Sequence, residues 1–410
     1  MGLTTSRAIL NARIVDPEGG VSQGGVLIRD GSIAAVGAID VPAGLEVLDA
    51  RGAMVAPGIV DLGIFAIDLP AMRAGGITRA GLMPDQAPPL DGPGLVQRAA
   101  AAGKPDLWIH PIAAATRALE GRELAEYGLM KTAGARAVSS GRTWIADSAI
   151  MLRALRYAAA HDLVFIAHAE DGGLTGGAVA TAGETATRLG LPSAPAIAEA
   201  IAIARDLWLA REAECPIHFR QVTTAAGFDL IRAAKAAGQK VSCGIGPAHL
   251  HLSDIAVSDF RTFAHLSPPL RDEADRQAAL AAVADGTIDV LCSAHDPRGP
   301  EDKRLPFADS APGMAGAETL LPMGLALVRD GLIAIERLFR LLSTNPAQLL
   351  GVEGGVLREG AAADLILFDP ETPWLVDTNR LAATAGNTPF DGLPVQGKVL
   401  RMIKGGQLFD

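Results

Sequence analysis

The stretch Pro57-Gly58-Ile59-Val60-Asp61-Leu62-Gly63-Ile64-Phe65 separates two kinds of sequence. Before it, residues 7–56 contain short apolar or alternating runs that are typical of strands. The C-terminal end has the same pattern, in Leu365-Ile366-Leu367-Phe368 and in residues 395–403. Two strand-rich ends around a different middle predict one small β-sandwich domain that both termini build together.

The middle of the chain alternates between helices and strands. Helical periodicity of apolar residues covers residues 149–161, 196–213, 224–237 and 276–284. Short apolar strands are predicted between them, at residues 163–166, 215–219, 240–243 and 288–292. The repeated order predicts an α/β fold with a parallel sheet, a (β/α)8 barrel over residues 57–352, beside a β-sandwich domain of residues 1–56 plus 353–410. A doubly wound sheet is the alternative, but no Gly-x-Gly-x-x-Gly follows an early strand to support nucleotide binding.

Composition and charge narrow the class of protein. Of the 410 residues, 49% are hydrophobic and 20% are charged, which provides enough apolar surface for a large buried core. The net charge of −10 argues against nucleic acid or an anionic membrane as the main partner. Three widely spaced cysteines, Cys215, Cys243 and Cys292, indicate reduced thiols in a cytoplasmic protein. No apolar run is long enough for a membrane span. Residues 1–6 fit an N-myristoylation pattern, but no basic cluster follows to supply a second anchor.

Short motifs in a fixed order extend over nearly the whole chain. They are Ala56-Pro57-Gly58-Ile59-Val60-Asp61, Gly75-Gly76-Ile77-Thr78, Met83-Pro84, His168-Ala169-Glu170-Asp171, Pro247-Ala248-His249-Leu250, Ser267-Pro268-Pro269-Leu270-Arg271, Glu318-Thr319-Leu320-Leu321-Pro322 and Ser343-Thr344-Asn345-Pro346-Ala347. In this order they resemble the dihydroorotases of the cyclic amidohydrolase family. The resemblance implies an amidohydrolase barrel that opens a cyclic amide with zinc-activated water.

The resemblance also indicates where the metal ligands of such an enzyme would lie. The resembling enzymes hold metal with His-x-His, an acidic residue, two further histidines and an aspartate. The corresponding positions here are Gly63, Phe65, Ser140, His168, Gln221 and Ala294. Only His168 is able to bind a metal, and a single imidazole does not hold zinc against water.

Positions that contact substrate in the resembling enzymes differ as well. The arginine expected two residues after His-x-His is Ile67, the asparagine of Met-Pro-Asn is Asp85, and a later histidine aligns with Arg298. Relative to the pattern of the resembling enzymes, the segment between Asp68 and Gly75 is shorter. Because Phe65 places an apolar ring where cations would lie, we expect this end of the barrel to be an ordinary or partly collapsed core.

These substitutions predict a pseudoenzyme, a dihydroorotase-like protein with no catalytic residues and no cofactor. In the resemblance, such chains associate with aspartate carbamoyltransferase. The prediction is therefore a structural partner of that enzyme in pyrimidine biosynthesis, with a homodimer inside a larger hetero-oligomer.

Two other functions remain open. The first is an active zinc amidohydrolase with rearranged ligands, built from His168, His249, His251 and His295, in which His249 and His251 share one face of an extended segment. The second is a small-molecule sensor that uses the pocket at the former metal position and Arg298.

Several candidate residues also have simpler interpretations. We expect His168 to be satisfied by hydrogen bonds, and Glu170 and Asp171 to form a charged turn. His295 and Asp296 are expected to point to opposite faces. Arg271 and Arg298 either bind an anion or form surface ion pairs.

Overall fold

The computed structural model describes residues 6–409, so most of the segment considered for myristoylation lies outside it. The strands are β1 (Arg7–Asp16), β2 (Gly20–Arg29), β3 (Ser32–Gly37), β4 (Glu46–Asp49), β5 (Met54–Pro57), β6 (Ile59–Ile64), β7 (Ile77–Leu82), β8 (Trp108–Ala114), β9 (Ala137–Ser139), β10 (Val164–Ala167), β11 (Ala180–Thr181), β12 (Ser193–Ala194), β13 (Ile217–Phe219), β14 (Val241–Ile245), β15 (Val290–Leu291), β16 (Leu365–Leu375), β17 (Pro394–Lys404) and β18 (Gln407–Phe409). The α-helices are α1 (Leu69–Gly75), α2 (Pro93–Ala101), α3 (Tyr127–Thr132), α4 (Ser148–Ala160), α5 (Gly172–Thr175), α6 (Glu184–Leu189), α7 (Ile197–Glu212), α8 (Ala225–Ala236), α9 (Pro247–His251), α10 (Glu273–Ala284), α11 (Pro300–Lys303), α12 (Leu320–Arg329), α13 (Ile335–Phe339) and α14 (Asn345–Leu349).

Eight parallel strands form the barrel, in the order β6, β7, β8, β9, β10, β13, β14 and β15. Every neighbouring pair is parallel, and helices follow most of the strands. The Phe65 amide donates to the His295 carbonyl at 2.9 Å, which brings the chain after β6 to the chain after β15. The predicted (β/α)8 barrel is therefore confirmed.

The strands near both termini form a second sheet. Its order is β18, β17, β16, β5, β1, β2 and β3, and β4 pairs with β1. β16 from the C-terminal part is antiparallel to β5 from the N-terminal part, with Leu365 opposite Pro57. The sheet that both ends were predicted to build is present, and its own apolar cluster includes Ile9, Val55 and Ile403. The exact division at residues 56/57 and 352/353 stays a prediction.

Helix starts explain the small differences between predicted and observed bounds. Helix α10 begins at Glu273, not at residue 276, because Asp272 accepts a hydrogen bond from the Asp275 amide. The polar first turn carries no apolar period, so periodicity alone missed it. Thr224 is likewise the N-cap of α8, because its side chain accepts from the Gly227 amide.

The barrel core is mostly apolar. Its largest cluster of buried side chains includes Phe165, Phe219 and Phe228, which lie between strands and the surrounding helices. The three cysteines are buried and unpaired. Among residues 6–409, no helix is long and apolar enough to cross a membrane.

Candidate functional site

The positions identified in the sequence meet at one end of the barrel. Gly63 lies in β6, while Ser140, His168, Gln221 and Ala294 follow β9, β10, β13 and β15. The carboxyl ends of parallel strands lie on the same face of a barrel, where barrel enzymes bind their substrates. This end, around these five residues, is called the barrel mouth below.

The backbone around Gly63 differs from a regular strand. The register of β6 against β7 shifts between Leu62 and Ile64, and Gly63 has φ +105°. A side chain at this position would be strained, because L-residues rarely adopt this conformation. An added Cβ would also lie 3.5 Å from Cδ of Arg220.

Two arginines lie over the ring of Phe65, which stands where the resembling enzymes have a metal-binding histidine. The guanidinium carbon of Arg142 is 3.5 Å from the ring centroid, and that of Arg220 is 5.1 Å away. Phe65 itself is buried in an apolar cluster with Leu62 and Met83, as expected for an ordinary or partly collapsed core, but the two guanidinium groups add charge that the sequence did not indicate. Stacking of a guanidinium on an aromatic face offsets part of the cost of removing the charge from water.

The two arginines differ in their counter-ions. Arg142 forms an ion pair with Asp296, which also pairs with Arg298 at 3.0 Å. Arg220 is only 2% exposed, and its Nη2 lies 3.5 Å from Nδ1 of His168. Its Nε has no hydrogen-bond partner within the described chain. Burial lowers the pKa of Arg220, and the nearby charge of Arg142 lowers it further.

His168 belongs to a buried row of polar side chains. Its Nε2 lies 3.5 Å from a Glu170 oxygen, and Glu170 accepts from Arg271 at 2.9 Å. Arg271 also lies 3.5 Å from Glu199, which accepts hydrogen bonds from the Thr223 and Thr224 amides. Burial alone raises the pKa of Glu170, but His168 and Arg271 outweigh it and lower that pKa to about 2.

The contacts of His168, Glu170 and Arg271 test three of the simpler interpretations. The prediction that hydrogen bonds satisfy His168 is confirmed. The charged-turn interpretation is wrong for Glu170, which is buried, while Asp171 caps α5 by accepting from the Gly173 amide. The surface interpretation of Arg271 is also wrong, because its guanidinium is buried between two carboxylates and is not free to bind an anion.

Two further polar groups at the mouth lack a partner. His249 Nε2 lies 3.0 Å from the Pro268 carbonyl, so this nitrogen carries the proton and donates. Nδ1 is then an acceptor, and it has no partner in the described chain. Burial lowers the pKa of His249 to about 4, so the ring is neutral at pH 7. Gln221 Oε1 is a second buried acceptor without a partner.

The four histidines of the alternative metal site are not brought together. His249 and His251 lie in helix α9 and not in an extended segment, so their rings do not share a face. His251 contacts the Met323 carbonyl, and His295 lies 3.6 Å from Asp68. His295 and Asp296 have separate partners, as expected.

The remaining predicted positions lie around the mouth. Ile67 packs against the apolar core, and Asp85 accepts a hydrogen bond from the Arg142 amide. Arg298 is paired with Asp296, so it is not the free cation that the sensor hypothesis needs. Sequence reasoning missed Arg142 and Arg220. The signal for Arg220 was its position one residue before Gln221, at the end of a barrel strand.

The fold defines a (β/α)8-barrel protein whose candidate site lies at the carboxyl ends of the strands. The chain belongs to the amidohydrolase family, whose model matches residues 66–409. A relative from Pelobacter propionicus named dihydroorotase is 37% identical over 416 residues, which cover 98% of each chain. A dihydroorotase from Pelotomaculum thermopropionicum is 38% identical, covering 98% of this chain and 97% of its own. Among solved structures, L-hydantoinase (dihydropyrimidinase) from Arthrobacter aurescens has a TM-score of 0.87 at 26% identity, covering 99% of this chain and 96% of that one.

These comparisons correct two predictions from the sequence. The prediction that the chain is not an enzyme is wrong, because its full-length relatives at 34–38% identity are named dihydroorotase and a hydantoinase shares its fold. The prediction of no cofactor is wrong on the same grounds, because the family to which the chain belongs is normally zinc-dependent.

Zinc is therefore the cofactor that the family implies, and the described residues do not fit it. Within residues 6–409, no group of three or more His, Cys, Asp or Glu side chains is arranged to hold a metal ion. The guanidinium groups of Arg142 and Arg220 would repel a divalent cation at the mouth. No chemical step is assigned to a metal here.

Proposed function

We propose that this protein is a dihydroorotase-type amidohydrolase that acts on a small cyclic amide bearing a carboxylate. The observation that carries the proposal is the 37% identity to a dihydroorotase over 98% of both chains. Identity of this extent covers the barrel, the mouth and the terminal sheet together, so it concerns the whole protein and not a shared fold alone.

The chemistry of the mouth supports a ligand of this class. A dihydroorotate ring offers N–H donors, carbonyl acceptors and one carboxylate. Gln221 Oε1 and His249 Nδ1 are acceptors without a partner, and Arg220 Nε is a donor without one. These groups line one cavity, whose empty volume including its opening is about 380 Å³. Buried polar groups of this kind need a hydrogen-bond partner, which a ring with complementary groups supplies.

Hydrolysis adds water to a ring carbonyl carbon, breaks its bond to nitrogen and leaves a proton on that nitrogen. Of the chain's own groups, Gln221 and His249 orient ring N–H groups or a water by accepting hydrogen bonds. His249 remains neutral over the working pH range because its pKa is lowered to about 4. The cations over Phe65 favour negative charge on the ligand.

The proposal is tested by following the interconversion of dihydroorotate and N-carbamoylaspartate in both directions. The purified protein is assayed with chelator and with added zinc, beside Gln221→Ala and a control, Gln277→Ala, on the exposed face of α10. We expect turnover proportional to protein concentration, reduced about tenfold or more in Gln221→Ala and unchanged in the control. Turnover no faster than in buffer, under both conditions and in both directions, would contradict the proposal.

We also propose that the chain assembles with aspartate carbamoyltransferase and with a second copy of itself. What supports an interface is an apolar face on helix α7. Ile197, Ile201 and Trp208 are 52%, 42% and 66% exposed, and their spacing puts them on one side of the helix. Exposed apolar patches of this kind mark association surfaces.

Co-expression with the aspartate carbamoyltransferase of the same cell tests this assembly. We expect the two chains to elute together at a mass above that of either one alone. Separate elution at micromolar concentration would contradict the partnership and leave the proposed reaction unaffected. The buried, unpaired cysteines support the expected cytoplasmic location.

A further inference from the structure

Arg220 is a buried cation without a carboxylate of its own. Its side chain is almost fully buried, and no carboxylate of the described residues forms an ion pair with it. Its one side-chain hydrogen-bond contact within the described chain is with His168 Nδ1, at 3.5 Å. Burying a charge is costly unless it is paired and hydrogen-bonded, so the fold retains an uncompensated cation at this position.

The neighbouring charges do not remove this excess. Arg142 and Arg298 share a single carboxylate, Asp296, which is 6% exposed. Glu170 is engaged by Arg271 and His168. Asp85, the other carboxylate near Arg220, accepts a hydrogen bond from the Arg142 amide and forms no ion pair with Arg220 within the described chain.

Arg220 faces a small cavity. The volume that the centre of a water molecule can occupy in this cavity is about 20 Å³. The cavity is also lined by Phe65, Arg142, Gln221, His249 and Asp296. A space of this size holds one or two waters or a group as small as a carboxylate. The carboxylate would lie in this space, and the ring would lie towards the opening, beside Gln221 and His249, which line the same cavity.

We propose that Arg220, together with Arg142, binds the carboxylate of a small ligand over the ring of Phe65. A planar guanidinium presents two parallel N–H groups to a carboxylate, and the unpartnered Nε of Arg220 is one of these donors. The site thus uses the chain's own cations where the resembling enzymes use a metal. The identity of the ligand as a dihydroorotate-type ring rests on the proposed function, whereas carboxylate binding does not.

The roles of the other arginines follow from this arrangement. Arg298 and Arg271 were the anion-binding candidates in the sequence, and both are committed to carboxylates of the chain. Arg142 is shared, because it stacks on Phe65 and pairs with Asp296. Binding of a negatively charged ligand is consequently expected to depend most on Arg220.

Calorimetric titration of the full-length protein tests the proposal. The ligands are dihydroorotate, N-carbamoylaspartate, dihydrouracil as the ring without a carboxylate, and chloride and phosphate as inorganic anions. The variants are Arg220→Met and the control Arg153→Met, whose side chain is exposed on helix α4. We expect Arg220→Met to weaken binding of both carboxylate ligands about 10- to 100-fold and the control to leave it unchanged.

Dihydrouracil should bind weakly and equally to the wild type and to Arg220→Met. Equal affinity of the wild type and a folded Arg220→Met variant for dihydroorotate would overturn the proposal, as would binding of inorganic anions without binding of carboxylates. If Arg220→Met does not fold, the proposal is tested by the Tm of the wild type with each ligand. We expect the carboxylate ligands to raise the Tm and dihydrouracil to leave it unchanged. Carboxylate binding without turnover would contradict the proposed reaction and leave this inference standing. Turnover, together with carboxylate binding that is unchanged in Arg220→Met, would contradict this inference and leave the proposed reaction standing.

Discussion

At the scale of single residues, the mouth is defined by which polar groups have partners. Glu199 is fully buried and accepts from the amides and hydroxyls of Thr223 and Thr224, with Arg271 3.5 Å away. Thr223 and Thr224 follow the mouth position Gln221 along the chain. Glu199 therefore fixes the backbone that carries a ligand-facing side chain, although it does not line the cavity itself.

Replacing Glu199 by alanine tests this positioning role. We expect Glu199→Ala to lower the free energy of unfolding by about 3–5 kcal/mol, because it leaves two buried amides without an acceptor and removes one of the two carboxylates beside the buried Arg271. Urea denaturation measures the loss. Glu212→Ala, an exposed position on the same helix, should change stability by less than about 0.5 kcal/mol. Equal stability of the two variants would contradict the role.

Glu170 predicts a pH dependence. Burial tends to raise its pKa, but His168 and Arg271 lower it to about 2, from an ordinary value of 4.5. A lowered pKa means that the carboxylate stabilises the fold above about pH 4.5 and that this contribution is lost as pH falls towards 2. We expect the stability difference between the wild type and Glu170→Gln to be constant from pH 8 to 5 and to shrink by about 3 kcal/mol at lower pH.

Denaturation of both proteins across that pH range measures the difference. Asp171→Asn is the neighbouring control, because Asp171 is a helix cap and not part of the buried row of polar side chains. A difference that stays flat from pH 8 to 2 would show that Glu170 is not stabilised as a carboxylate.

At the scale of elements, the end of β6 is where the barrel mouth differs from that of the resembling enzymes, because Gly63 and Phe65 stand where those enzymes have histidines. The register of β6 shifts at Gly63, whose φ is positive, and this residue lies beside the side chain of Arg220. The double substitution Gly63→His and Phe65→His therefore does not recreate a metal site. We expect less than 0.1 zinc per chain by elemental analysis and a loss of about 1–3 kcal/mol in stability from the strained backbone.

A matched variant separates strain from side-chain chemistry. Gly63→Ala should show a similar loss of stability, because the left-handed φ penalises any Cβ. One zinc per chain in the double variant, removed by chelator, would contradict this account of the mouth.

The strands were predictable because their apolar runs are short and bounded by polar residues. The segment predicted at residues 240–243 is β14, Val241–Ile245, and the predicted mouth positions Gln221 and Ala294 do follow barrel strands. His249 and His251 were misassigned because two histidines spaced by one residue fit an extended segment as well as a helical turn. Arg220 was missed because the absence of a counter-ion is a property of three-dimensional packing, which no local pattern records.

At the scale of the whole molecule, the barrel and the terminal sheet account for the buried core, and helix α7 exposes apolar side chains to solvent. Arg211 stacks on Trp208 with its guanidinium carbon 4.7 Å from the ring centroid, but the indole remains mostly exposed. An exposed tryptophan in line with two isoleucines fits an interface core, where aromatic residues contribute strongly to binding.

Charge placed on this face should weaken association. We expect Trp208→Glu combined with Ile201→Glu to shift the protein to a smaller species and to weaken self-association at least about 30-fold, a loss of about 2 kcal/mol or more. Analytical ultracentrifugation measures the shift, with Glu212→Ala as the control on the same helix. An unchanged sedimentation coefficient in the double variant would remove α7 from the interface.

The central claim is that the chain's own guanidinium groups bind the ligand's carboxylate where the resembling enzymes hold a metal. The direct measurement is calorimetric titration of dihydroorotate into protein that has been treated with chelator. The account predicts saturable binding of one ligand per chain, weakened about tenfold or more by Arg220→Met. Binding that disappears with chelator, returns with zinc and is indifferent to Arg220→Met would contradict it.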